Sequence, residues 1–236
     1  MANNEEHNYF TEFLSNTNLF QVLMDDLLSE SQRGAVLIGM EYVSEHLKEL
    51  VVEIMPHESN KKQKELLNFS GLLGTFGAKI ELCYAFRIID HTIYESLKAI
   101  QRLRNQAAHS NKNFDLADDR YKQEFDKFLN MGQGFRPMIK DIAPRTLGRI
   151  KVENVVYALR EQGLSDDEIK KYFDNYEVTQ EMEELFQTQR LHWELLFGVV
   201  MICANLFHIK NSLKEQLKES TTWSSAIRKV SIDQSI

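Results

Sequence analysis

Three prolines, Pro56, Pro137 and Pro144, are all that 236 residues offer to break a helix, and only ten glycines accompany them. Apolar residues meanwhile recur at three- and four-residue steps through most of the chain, the spacing that gives a helix one buried stripe. Proline stops a helix by removing a donor and by clashing with the preceding turn, so a chain with so few stops is expected to be helical nearly throughout. The fold class read from this pattern is all-α. At this length the chain buries a core of its own without disulfide staples.

The first long helix is expected at about Gln32–Met55, with Val36, Leu37, Met40, Val43, Leu47, Leu50 and Val51 on one stripe and Ser29 and Gln32 as its capping box. Pro56 and the polar residues after it end this helix. The segment Asn68–Gly77 reads as a glycine-punctuated turn. A second helix follows over Ala78–Ile88, with Ile80, Leu82, Cys83, Ala85 and Phe86 at helical spacing. Thr92 and Glu95 suggest a capping box for a third helix at about Ile93–Ala108, with Asn111–Asn113 marking its exit. The loop Met131–Pro137 opens an inserted module with helical stretches near Val152–Gln162 and Asp166–Asn175, the latter capped by Ser165 and Glu168. A final helix over about Gln189–Glu219 returns Leu191, Leu195, Phe197, Val199, Ile202 and Leu206 to the core. The organisation expected is an N-terminal helical arm (1–30), a bundle (31–129 and 189–219), an inserted helical module (130–188) and a Ser/Thr-rich flexible tail (220–236).

Thirty-five acidic against 28 basic side chains give a net charge of −7, which opposes indiscriminate binding to DNA. The two cysteines, Cys83 and Cys203, each lie in an apolar helical stretch, the setting of a buried free thiol. The N-terminal residues lack a basic flank followed by an apolar segment, so a cytoplasmic location is expected. The run Leu195–Leu206 is shorter than the ~20 residues that span a bilayer, so no membrane association is expected.

Arg104-Asn105-Gln106-Ala107-Ala108-His109 is the one chemically pointed run. Ile93, Leu97, Ile100, Ala107 and Ala108 define an apolar stripe, and Arg104 falls near its middle, where a permanently charged guanidinium needs an anionic partner or a subunit boundary. His109 lies about 140° around the helix from Arg104, while Asn105 is one i,i+4 step from it. Arg104 and His109 therefore share a site only at a helix end, or across a twofold axis between two copies, which Ala107 and Ala108 are small enough to permit. Such a pair suits metal-independent phosphodiester cleavage, with histidine moving the proton and arginine stabilising charge on the phosphate. The alternative is an arginine held in an ion pair, with Glu81 or Glu41, and a histidine that only finishes the helix, as in many unrelated helices.

The arrangement Arg104-Asn105-x-x-x-His109 resembles the signature of HEPN domains, all-helical bundles that include metal-independent RNases. Three ordered blocks over about Ser31–Asp118 are similar to the mannitol operon repressor (MtlR) family, itself HEPN-like: Arg33-Gly-Ala-Val-Leu-Ile-Gly, then Gly71-Leu-Leu-Gly-Thr-Phe-Gly-Ala-Lys-Ile-Glu-Leu-Cys-Tyr-Ala, then Ile100-Gln-Arg-Leu-Arg-Asn-Gln-Ala-Ala-His-Ser. The resemblance implies a HEPN-like bundle, a homodimer, and a transcriptional or post-transcriptional regulator acting through a protein partner or RNA. It implies as the alternative a toxin- or defence-type endoribonuclease, with Arg104, Asn105 and His109 as catalytic residues. The segment from about Asn130 to Thr188 falls outside it.

Arg136, Lys140, Arg145, Arg149 and Lys151, opposed only by Asp141, form the most basic stretch and are candidates for RNA phosphates, or else a solvated loop balancing an acidic body. Two helices joined at Gly163 superficially suggest a helix-turn-helix, but the segment is acidic, so sequence-specific DNA binding is not expected. The other histidines, at 7, 46, 57, 91, 192 and 208, show no ligand spacing, and no phosphate-binding glycine loop or serine nucleophile motif occurs, so neither metal nor cofactor is expected. Phe10, Phe13 and Leu14 read as a docking turn, or as an arm for a partner.

Overall fold

The computed structural model describes residues 19–55, 60–110, 114–132 and 134–233. Among them are helices and no strand: α1 Leu19–Leu28, α2 Gln32–Glu53, α3 Asn60–Leu67, α4 Phe76–Ala85, α5 His91–His109, α6 Asp119–Phe128, α7 Phe135–Glu161, α8 Asp166–Asp174 and α9 Gln180–Asp233. The apolar residues of the N-terminal arm, Phe10, Phe13 and Leu14, lie outside the described residues, as does the exit at Asn111–Asn113.

Helix starts follow capping chemistry, although two caps differ from those expected. Ser31, not Ser29, caps α2 by accepting from Gly34 N–H at 3.1 Å, and Thr75 caps α4 by accepting from Ala78 N–H. Asp90, not Thr92, caps α5 by accepting from Ile93 N–H at 2.8 Å. In each case the side chain three residues before an unpaired N–H is the one that reaches it. The expected box at Ser165 is present, with Ser165 N–H donating to the Glu168 carboxylate at 2.9 Å.

α9 is the spine. Leu195, Leu196, Val199, Val200, Ile202, Cys203, Ala204 and Leu206 are fully buried, so this stretch is apolar on nearly every side and is wrapped by its neighbours. It packs against α1, α2 and α7. By length and composition the segment Gln180–Leu217 contains a window apolar enough to cross a membrane, but 67% of that window is buried inside the protein, the setting of a core helix. The backbone is one helix through both expected boundaries, from Gln180 to Asp233, where a break near 188 and a loose tail after 220 were expected. Between Gly198 and Asp233 the sequence holds no glycine or proline to stop it.

α2, α4 and α5, which carry the three sequence blocks, pack on one another. The Val36, Met40, Val43, Leu47, Leu50 and Val51 stripe of α2 is buried as expected, as is Ile80 with Cys83 on α4, whereas Phe86 lies beyond the end of α4 and is 71% exposed. In the turn before α4, a Cβ at Gly71 or Gly74 would run into the preceding backbone carbonyls, so this approach requires glycine. The same turn leaves Phe69 and Leu72 exposed.

The segment expected to be a loop before Val152 is instead the first half of α7, which takes in both remaining prolines. Gly134, at φ +94°, caps it, and Pro137 falls in the first turn, where the missing N–H has no intrahelical acceptor in any case. Pro144 lies in the helix interior and removes one ladder bond there.

Candidate functional site

α5 buries Ile93, Ser96, Leu97, Ala99, Ile100, Leu103 and Ala107. The stripe thus shifts toward Leu103 and Ala107 in the second half of the helix, which turns Arg104 out to solvent. Arg104, Asn105 and His109 are all exposed, so the expectation that Arg104 occupies a core position is corrected. Its Nη1 donates to Asn105 Oδ1 at 3.4 Å, and no carboxylate among the described residues pairs with it. Glu81, on the neighbouring helix α4, receives Lys98 Nζ at 3.1 Å and the Tyr94 hydroxyl at 3.3 Å. Water satisfies an exposed guanidinium, which removes the demand for a buried anion.

His109 is the last helical residue. One unbroken helix carries both groups, so Arg104 and His109 stay about 140° apart in azimuth and about 7.5 Å apart along the axis, and they do not converge within one chain. Ala107 is fully buried in its own chain; only Ala108 remains available for close approach by a second copy.

The residue at this helix end that sequence reading missed is Arg33. From the first turn of α2 its Nε donates to Ala107 O at 2.8 Å and its Nη2 to Ala108 O at 3.2 Å, while the Ser110 hydroxyl donates to Ala107 O at 2.9 Å. A guanidinium on the last carbonyls satisfies acceptors that have no intrahelical donor and offsets the negative end of the helix dipole. Its presence at the head of the first sequence block was the available signal, but the partner carbonyls lie 74 and 75 residues away. Gln32 next to it is buried and ties distant segments together, accepting from Leu116 N–H at 2.6 Å and donating to Thr188 O at 3.5 Å.

The five basic residues near 136–151 lie along α7, not in a loop. Arg136 and Lys140 converge on Asp126 of α6, at 2.6 and 2.9 Å. Arg145 and Arg149 pair with Asp141 and Glu153 at 2.8 and 3.6 Å. Helical geometry turns Arg145 and Arg149 about 180° and 220° from Arg136, so the five do not make one cationic surface.

Lys151 borders a different feature, a groove of about 350 Å³ between α7, the segment Phe173–Val178 and the start of α9. Val152, Val155, Phe173, Tyr176, Met182 and Phe186 line it. Val152, Leu185 and Val178 around it are 49%, 53% and 66% exposed, an apolar concentration of the kind that marks contact surfaces. A second, wide opening of about 780 Å³ lies between the α4–α5 turn and α9 and includes Tyr84, Arg87, His91 and Asn205. Tyr84 stacks on Tyr94 there at 4.2 Å between ring centroids. Among the described residues no group of three or more His, Cys, Asp or Glu side chains is placed to hold a metal ion.

No protein-family model matches the chain, and no curated protein matches it. Among solved structures the chain is similar to one described as the X-ray structure of the MtlR–HPr complex from Escherichia coli. The two share 14% identity over 84% of this chain and 99% of that chain, with a TM-score of 0.45. So distant a likeness says nothing about activity or partner.

Proposed function

We propose that this protein is an MtlR-like regulator that works through protein contacts, receiving an apolar helix of a partner protein in the groove between α7 and the start of α9. The observation that carries this reading is the groove itself, where Val152, Val178, Met182 and Leu185 stand exposed together around an apolar cavity. Its rim carries Lys151 on α7 and Glu183 on α9, so a partner helix with charges of both signs flanking its apolar stripe is the complement. The three sequence blocks support the MtlR-like part of the proposal, because they lie on helices that pack together as one unit.

In this reading Arg104, Asn105 and His109 are exposed side chains of α5 that take no part in catalysis or in holding the partner. An RNA-cleaving homodimer would have to bring Arg104 of one chain against His109 of the other, since a single chain keeps them on different faces. Incubating the purified protein with RNA in EDTA, alongside His109→Ala, tests the distinction. The proposal expects no cleavage by either protein; cleavage by the wild type that disappears in the variant would overturn it.

A further inference from the structure

Where α6, α7 and α9 meet, a cavity of about 250 Å³ is lined by Lys122 and Asp126 from α6, Lys140 from α7, and Arg190 and Glu194 from α9. Its chemistry is unlike that of the apolar groove. Arg136 joins it through Asp126, so four cationic side chains surround two carboxylates in a chain whose net charge is −7. Lys140 and Arg136 are engaged with Asp126. Lys122 has no ion-pair partner among the described residues.

Arg190 is the unusual group. Its Nε is buried and makes no hydrogen bond; it approaches Glu194 Oε1 at 3.3 Å but does not aim its N–H at that oxygen. Arg136 Nε is buried without a hydrogen-bond partner as well. Buried donors are nearly always satisfied, and Arg190 Nε, left open on a cavity whose rim carries five charged side chains, calls for an acceptor atom brought from outside the chain. Glu194 is only 2% exposed and faces Arg190, and the other carboxylate of the cavity, Asp126, is offset by its ion pairs with Arg136 and Lys140.

The geometry points to a binding site for a small phosphate, either inorganic phosphate or the monoester of a short molecule, held by Arg190, Lys122 and Lys140. The donors reach the cavity from three helices and so from three directions, which suits the tetrahedrally disposed oxygens of phosphate better than the two coplanar oxygens of a carboxylate. The volume sits below the about 300 Å³ at which ordinary ligand pockets begin, which limits the organic part to a few atoms.

Calorimetric titration of the full chain at pH 7 with inorganic phosphate, and separately with glycerol 3-phosphate against glycerol, tests the assignment, with chloride added to hold ionic strength constant. Saturable binding is expected for phosphate or for the ester but not for glycerol. The arm that binds more tightly tells the two sources apart. Arg190→Gln and Lys122→Gln should each weaken binding at least tenfold, and Lys122 is exposed, so its variant keeps the test open if Arg190→Gln disturbs folding. Arg160→Gln, which removes a cation paired with Asp166 outside this cavity, should leave binding unchanged. Absence of saturable binding in the wild type, or equal affinity in wild type and Lys122→Gln, overturns the assignment.

Discussion

Replacing Arg33 by Ala removes two charged donors from the end of α5 and nothing else of consequence, because alanine suits the first turn of α2 at least as well as arginine. The bonds lost are those from Nε to Ala107 O at 2.8 Å and from Nη2 to Ala108 O at 3.2 Å. Hydrogen bonds to a charged group contribute about 1.5–3 kcal/mol each. Arg33 is half-buried, so water recovers part of the loss, and taking the low end with that discount gives a destabilisation of about 2 kcal/mol. Lysine carries its charge at one point and reaches one carbonyl, so Arg33→Lys should lose about half as much. Urea unfolding followed by circular dichroism measures both values, and the slope with denaturant should stay constant because the folded surface is unchanged. If Arg33→Ala costs under about 0.5 kcal/mol, or if lysine replaces arginine without loss, the bidentate clasp does not hold α5 to α2 as argued.

Gly198 lets α9 approach α6: an added Cβ would sit 2.7 Å from Phe128 Cε1 and 2.8 Å from Leu129 Cδ2, both fully buried side chains. Gly198→Ala should therefore cost about 1–3 kcal/mol of overpacking, partly offset by up to about 1 kcal/mol of helix propensity, and a lowered thermal midpoint relieved by Phe128→Leu would show it. Burial raises the Glu194 pKa above its ordinary 4.5, despite opposition from Arg190 and Lys140. The folded state therefore holds this proton more tightly than the unfolded chain, and its contribution to stability falls as pH rises above about 4.5; Glu194→Gln should flatten that decline in urea titrations across pH. Burial pushes the Cys83 thiol up to about 12 and the Cys203 thiol higher still, so a thiol reagent at pH 8 should label neither cysteine in the native protein and both in urea.

Element type was readable from sequence because periodicity and scarce proline report directly on helix. The caps at Ser31 and Asp90 were displaced from those expected because serine, threonine and aspartate crowd both helix starts, and only backbone geometry decides which oxygen meets an N–H. Arg104 was misplaced because the stripe read through Ile93, Leu97, Ile100, Ala107 and Ala108 left out Leu103, which is buried beside Ala107 and turns the neighbouring Arg104 outward. Pro137 and Pro144 suggested a loop, yet a first-turn proline costs no hydrogen bond, and the second is tolerated inside a long helix whose Ile139, Ala143 and Leu147 are buried. The apolar groove was illegible because Val152, Tyr176 and Met182 become neighbours only when α7, the residues after α8 and α9 meet.

A photo-crosslinking amino acid placed in cells at Leu185 beside the groove, and in a parallel strain at Arg104 on α5, distinguishes protein contact at the groove from RNA contact at α5. If the protein regulates through the groove, irradiation at position 185 yields a discrete adduct with one protein, Val152→Glu abolishes that adduct, and position 104 yields none of comparable intensity. Adducts with RNA at position 104, together with no specific adduct at 185, would contradict the account.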